Sequence, residues 1–196
     1  YVFAGWSLHQ DDTEPTYLEG DSVDIAGDVT LYAVWAAVDY SLLDTGHAGG
    51  YILYINAAYE TGGWKCLEAA PGDQGASIRW GTVGTTTGAT ETAIGTGRTN
   101  TATIVGVLPS LISSNCAAKL CDSYETTADG LSYGDWFLPS KDELGLMYTY
   151  ASEIGGFTAN GYWSSSETGA DNANMKNFVD GYWYGSSRKD TLLGVR

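Results

Sequence analysis

Asp135-Trp136-Phe137-Leu138-Pro139-Ser140-Lys141-Asp142-Glu143-Leu144 is the stretch whose reading decides how this chain folds. Proline ends one segment, and Ser140 followed three residues later by Glu143 is a capping box, so a helix begins at Ser140. Leu144, Met147, Tyr148 and Ala151 then recur on one stripe, which marks the face turned to the core. Asp142 and Glu143 fall in the first turn, where the helix dipole favours anions. They read as structural groups and not as a catalytic pair.

Downstream, residues 160–187 gather Tyr162, Trp163, Tyr182, Trp183 and Tyr184 among Asn, Ser, Gly and Asp. Binding surfaces use that mixture, because it joins rigid aromatic area to adaptable hydrogen bonding. Aromatic faces beside amides and carboxylates also suit sugar rings, whose C–H faces lie on π-systems while their hydroxyls need paired donors and acceptors. Trp163 and Trp183 fit the core better than the surface. Residues 177–179 and 192–196 read as short strands between turn-rich segments.

Upstream, residues 49–55 are an aromatic and β-branched strand behind a glycine turn, and residues 64–80 hold room for two more strands. Residues 81–98 are mostly glycine and threonine and read as a long solvated loop. Residues 99–108 place Ala102, Val105 and Gly106 at helical spacing before Pro109 stops the run. A second short helix has Ala117, Leu120, Cys121 and Tyr124 on one stripe, with Asn115 as its cap.

The whole chain has 196 residues, with 43% hydrophobic and only 17% charged side chains, which is enough apolar content for one domain and a small appendage. Its 26 glycines and 37 serines and threonines against four prolines predict short strands, many turns and polar loops. The net charge of −15 argues against nucleic acid, whose phosphates are met by Lys and Arg. No apolar run of about 18 residues and no basic stretch leading into an apolar one occurs, so neither a membrane span nor a signal peptide is expected in this stretch of chain. Three cysteines (Cys66, Cys116, Cys121) and two histidines (His9, His47) without metal-ligand spacing predict no metal and no cofactor.

Residues 1–64 carry ten acidic and no basic side chains, whereas 65–196 carry fourteen and nine, a shift that predicts two units. In the first, Val29, Leu31, Ala33 and Trp35 alternate with Thr30, Tyr32 and Val34, the pattern of a terminal strand. Phe3-Ala4-Gly5-Trp6, Tyr17, Gly20-Asp21 and the Gly27-Asp28-Val29-Thr30-Leu31-Tyr32-Ala33-Val34-Trp35 run resemble the second half of the internalin-type B-repeat, or Listeria–Bacteroides repeat. That resemblance implies a partial β-grasp-like stalk module over residues 1–35, entered midway, with a linker over 36–48.

Residues 49–196 resemble the domain family typified by the C-terminal domain of the Legionella collagen-like adhesin. The resemblance rests on Gly50-Tyr51-Ile52, Leu67-Glu68-Ala69-Ala70-Pro71, Ala93-Ile94-Gly95-Thr96-Gly97 and Ala117-Ala118-Lys119-Leu120-Cys121. It continues in the 135–144 block, in Tyr162-Trp163-Ser164-Ser165-Ser166-Glu167 and in Asn177-Phe178. The resemblance implies an α+β fold, a C-type-lectin-like domain with small antiparallel sheets and two or three helices. It implies an extracellular adhesin domain on a bacterial surface that binds a surface glycan or protein. Some C-type-lectin-like relatives are variable proteins of diversity-generating retroelements. On that pattern the ligand contacts are Tyr162, Thr168, Asp171, Asn172, Asn174, Tyr182, Tyr184, Ser186 and Ser187, while Trp136, Leu138, Pro139, Trp163 and Phe178 are scaffold. Two departures stand out. The family runs on past the Val195-Arg196 pair, so one sheet edge is expected to be incompletely paired, and the calcium-dependent sugar motif Glu-Pro-Asn or Gln-Pro-Asp is missing.

Enzymatic readings are weaker. A related fold houses the formylglycine-generating enzymes, which use paired cysteines and copper, but Cys116 and Cys121 lie about 140° apart around a continuous helix. Cys121 sits on the apolar stripe and reads as a buried inert thiol. Ser164, Ser165 and Ser166 have no nearby histidine as base. Glu167 with Asp171 or Asp180 would be the pair for a glycosidase. Residues 170–196 hold three acidic and four basic side chains, so this near-neutral patch is not expected to bind sulfated polyanions strongly. The expectation is a non-enzymatic recognition domain on a stalk; a pilus or stalk subunit without ligand is the alternative.

Overall fold

A computed structural model describes residues 2–24, 26–112 and 115–196. The chain divides into two compact units, Tyr1–Tyr40 and Ser41–Arg196.

In the first unit, strands β1 (Val2–Ser7) and β2 (Tyr32–Ala36) pair antiparallel, with a bulge between Phe3 and Gly5. Gly5 adopts φ +146°, and a Cβ there would stand 2.3 Å from the Tyr17 carbonyl oxygen. Glycine is therefore required where the 15–17 segment crosses β1. The Trp6 amide donates to Tyr17 O at 2.8 Å, closing that crossing. The observed strand starts three residues later than the alternation starting at Val29 suggests, and Val34 is its buried residue.

The second unit begins at Ser41, so residues 41–48 of the expected 36–48 linker belong to it: Leu43 donates to Ile52 O and Ile52 donates to Asp44 O. Its elements in chain order open with β3 (Tyr51–Ile55), α1 (Tyr59–Gly62), β4 (Cys66–Ala69) and β5 (Gly75–Ile78). Next come α2 (Gly97–Val107), α3 (Ala117–Asp122), β6 (Thr126–Ala128) and β7 (Leu131–Tyr133). The order closes with α4 (Lys141–Thr149), α5 (Ala151–Ile154), β8 (Gly161–Glu167), β9 (Asn172–Asn177), β10 (Trp183–Arg188) and β11 (Leu193–Val195). The fold is α+β. Five strands form one sheet in the order β10-β9-β8-β11-β5, antiparallel except for the β8/β11 pair, and β3-β4 and β6-β7 are separate hairpins. β11 is paired with β5 on one side and with β8 on the other.

β8 is buried along all seven residues. Successive strand residues point to opposite faces, so Trp163 enters one core with Trp80, Ile104, Leu138 and Cys121. Tyr162 enters the other, with Leu53, Leu144, Met147 and Ile154. Two indoles tie β8 to the end of β5 and the residues just beyond it: Trp163 Nε1 donates to Ile78 O at 2.9 Å and Trp80 Nε1 donates to Ser164 O at 2.8 Å.

The capping box is present. Glu143 N donates to Ser140 Oγ, and Ser140 N donates back to Glu143 Oε2 at 2.7 Å. The other Glu143 oxygen accepts from Gly95 N at 2.7 Å, which ties the preceding loop to the helix start. Other expectations need correction. Residues 81–98 are solvated only in part, because Gly81, Thr87, Ala89 and Gly97 are buried while half of the segment is exposed. α2 starts two residues earlier than expected and buries Asn100, Thr101 and Ile104; Ala102 and Gly106 face outward. α3 has no side-chain cap from Asn115, since the capping position is Cys116. Residues 178 and 179 lie in a turn beyond β9 and not in a strand.

Candidate functional site

β10 is an edge strand, reached from β9 through a turn over residues 177–182. Asn and Asp side chains organise such turns by bonding the backbone just ahead of them. Asn177 Oδ1 accepts from Val179 N at 2.8 Å, and Asp180 Oδ1 accepts from Tyr182 N at 2.9 Å. Gly181 holds φ +75°, where a Cβ would stand 2.4 Å from the Tyr148 hydroxyl. The turn is thus pressed onto α4 and presents Val179 and Tyr182 outward, 74% and 69% exposed.

Tyr184 lies two residues beyond Tyr182 and is 46% exposed. Its hydroxyl donates to Asp180 Oδ2 at 3.0 Å, which raises the phenol pKa above its ordinary value. Trp183, between them, turns inward. The Lys176 ammonium stands 4.7 Å from the Trp183 ring and 4.3 Å from that of Tyr148, and donates to Gly181 O. This stack, with Lys176 buried between half-buried rings, fixes the base of the turn.

A second polar cluster surrounds the bulge of β10 between Tyr184 and Ser187. Thr168 Oγ1 donates to Gly185 O at 2.6 Å, which brings the end of β8 beside Ser186 and Ser187. Asn172 pairs with Arg188 in the β-ladder, and Asp171 Oδ1 accepts from Gly84 N at 2.9 Å. Thr168, Asp171, Tyr182, Tyr184 and Ser186 are exposed, and Asn172 and Ser187 are half-buried.

Two expected contact residues are corrected. Tyr162 is fully buried among Phe157 and Phe178, and its hydroxyl donates to Asp73 while accepting from Thr158 N and Ala159 N. Burial first, and then Asp73, push its pKa up to about 12. Asn174 is buried, and its Nδ2 donates to Ser166 O at 3.2 Å. Both residues pass for surface groups because their polar atoms are satisfied inside. Val179 and Asp180 are the contributors that composition alone overlooks; the Asn-x-x-Asp-Gly turn signature over 177–181 is the signal for them.

The groups weighed for catalysis serve the framework. Ser164 Oγ donates to Asn174 O, Ser166 Oγ donates to Glu91 O, and Ser165 Oγ accepts from Asn100 Nδ2. Glu167 pairs with Lys189 and accepts from Thr87 N and Gly88 N. Burial works to raise its pKa, but Lys189 and the two amides prevail and hold it below the usual value, opposite to what a general acid at neutral pH needs. Cys66, Cys116 and Cys121 are free thiols, each with its pKa raised mainly by burial. Of the expected scaffold residues, Leu138, Pro139 and Trp163 are buried, whereas Trp136 and Phe178 are half-buried. Among the described residues no group of three or more His, Cys, Asp or Glu is arranged to hold a metal, and no helix is long and apolar enough to cross a membrane. No protein-family model matches the chain, and no curated protein matches it either.

Proposed function

We propose that this chain is a recognition domain of a bacterial cell surface, C-type-lectin-like in fold and carried on a stalk module that includes residues 1–35. It binds a surface glycan or protein through the 177–188 face, as an adhesin or as the variable protein of a diversity-generating retroelement. It does so without catalysis.

The observation that supports this reading is the division of labour around β10. Val179, Tyr182 and Tyr184 stand in solvent, while the backbone carrying them is tied down by Asn177, Asp180 and the buried Lys176. Aromatic area held rigid before binding costs little order on association, which is what a recognition face requires. Ser186 and Ser187 at the bulge lie in the same strand and belong to neither core.

A glycan and protein array probed with the full chain tests the proposal. The expected result is a defined set of hits that Tyr182→Ala/Tyr184→Ala abolishes. Hits that survive the double substitution would place recognition elsewhere. An array without hits, together with self-association lost in the same variant, would favour a stalk subunit.

A further inference from the structure

We propose that a cavity of about 250 Å³ in the second unit, remote in sequence from the β10 face, binds a small organic cation with an apolar body, of the quaternary ammonium type. The cavity lies among the β3-β4 hairpin, the β6-β7 hairpin and α4, near the lower end of the size range of ligand pockets.

Its walls set the chemistry. Tyr124, Tyr133, Trp136 and Phe137 line it together with Leu53, Leu146 and Met147. The Tyr124 and Trp136 rings sit 5.5 Å apart with planes inclined at 54°, so they meet as a corner and not as a stack. Trp136 Nε1 donates to Tyr133 O at 3.1 Å, which fixes the indole plane. Aromatic faces meeting at an angle are the arrangement that attracts an alkylated ammonium, because each ring presents its negative quadrupole.

Charge points the same way. The lining holds three carboxylates, Glu68, Asp135 and Glu143, against the Arg196 guanidinium and the His47 imidazole. The charge of Arg196 is met outside the lining, by Asp73 at 3.6 Å, while its Nε donates to Ala70 O, its Nη1 donates to Gly155 O and the group stacks 4.2 Å from the Phe157 ring. Glu68 accepts from Gly50 N and Ala48 N, and Glu143 accepts from Ser140 N and Gly95 N; these amides are neutral and leave the carboxylate charges in place. Asp135 meets Arg98 on its exposed side at 2.8 Å. Burial raises the Glu143 pKa above its ordinary value, which favours its neutral form. An anionic or acyl-carboxylate ligand would face this field unfavourably.

Calorimetric titration of the full chain with tetramethylammonium, choline and benzyltrimethylammonium, each beside its neutral carbon isostere, tests the proposal. At least one cation should bind saturably and at least tenfold more tightly than its isostere. Leu146→Phe, which fills the cavity from α4, should weaken that binding at least tenfold, and so should Trp136→Leu. No saturable binding by any of the three, equal binding of cation and isostere, or binding unchanged in Leu146→Phe would overturn it. The comparison of cation with isostere uses the unmodified chain, so it stands even if a variant folds poorly.

Discussion

The side-chain ammonium of Lys189 and the carboxylate of Glu167 form an ion pair with neither side chain accessible to solvent. Lys189 also donates to Thr85 O and lies 4.7 Å from the Trp80 ring, while Glu167 accepts from Thr87 N and Gly88 N. One pair thereby joins the end of β8, the glycine- and threonine-rich loop and the connection from β10 to β11. The exposed half of β10 starts from this fixed point.

Removing one partner leaves the other charge buried and alone. Lys189→Met and Glu167→Gln are each expected to lower unfolding stability by about 3–5 kcal/mol, read by urea denaturation at pH 7. Lys189→Met/Glu167→Leu should cost less than the sum of the two, because neither charge is then stranded.

The same carboxylate sets an acid limit. Its folded pKa lies below the ordinary value, so its contribution is full above the unfolded value of about 4.3 and is lost as pH falls through the folded one. Between about pH 4.5 and pH 2 the wild-type chain should lose stability more steeply than Glu167→Gln, measured by denaturant melts across that range.

Tyr162 sets an alkaline limit of opposite sign. The folded phenol titrates at about 12 against about 10 when unfolded, so the fold favours the protonated form. That contribution is present below pH 10 and is lost as pH rises towards 12. Tyr162→Phe should cost about 1–2 kcal/mol at pH 7 and show a smaller decline between pH 10 and 12, followed by circular dichroism.

Two glycines of α2 predict opposite outcomes. A Cβ at Gly97 would stand 2.2 Å from Glu143 Oε2 and 2.8 Å from Ser140 N, whereas one at Gly106 meets nothing within 4 Å. Gly97→Ala should destabilise by about 1–3 kcal/mol, and Gly106→Ala should stabilise by about 0.5–1 kcal/mol, compared by thermal unfolding.

Some of this architecture is legible in the sequence because its causes are local. The Ser140 capping box and the stripe through Leu144 and Met147 need only a few neighbours to be read, and α4 follows them. β8 is hidden for the opposite reason. Ser164, Ser165 and Ser166 look like surface residues, yet their hydroxyls meet Asn174 O, Asn100 Nδ2 and Glu91 O, partners distant in the chain. The loop over 81–98 is polar by composition, yet Thr87 and Ala89 are buried in it, because Glu167 and Lys189 hold that part from outside the segment. In the same way Tyr162 reads as a contact residue until Asp73 is seen to take its hydroxyl. Tyr182 and Tyr184 were readable as exposed because the turn chemistry that lifts them, Asn177 to Gly181, is again local.

The most direct test of a recognition face at β10 is hydrogen-exchange footprinting of the full chain with and without the strongest array ligand. The account predicts slowed exchange across residues 177–188, with the first unit and the β3-β4 hairpin unchanged. Protection confined to any other surface, with 177–188 exchanging as in the free chain, would contradict it.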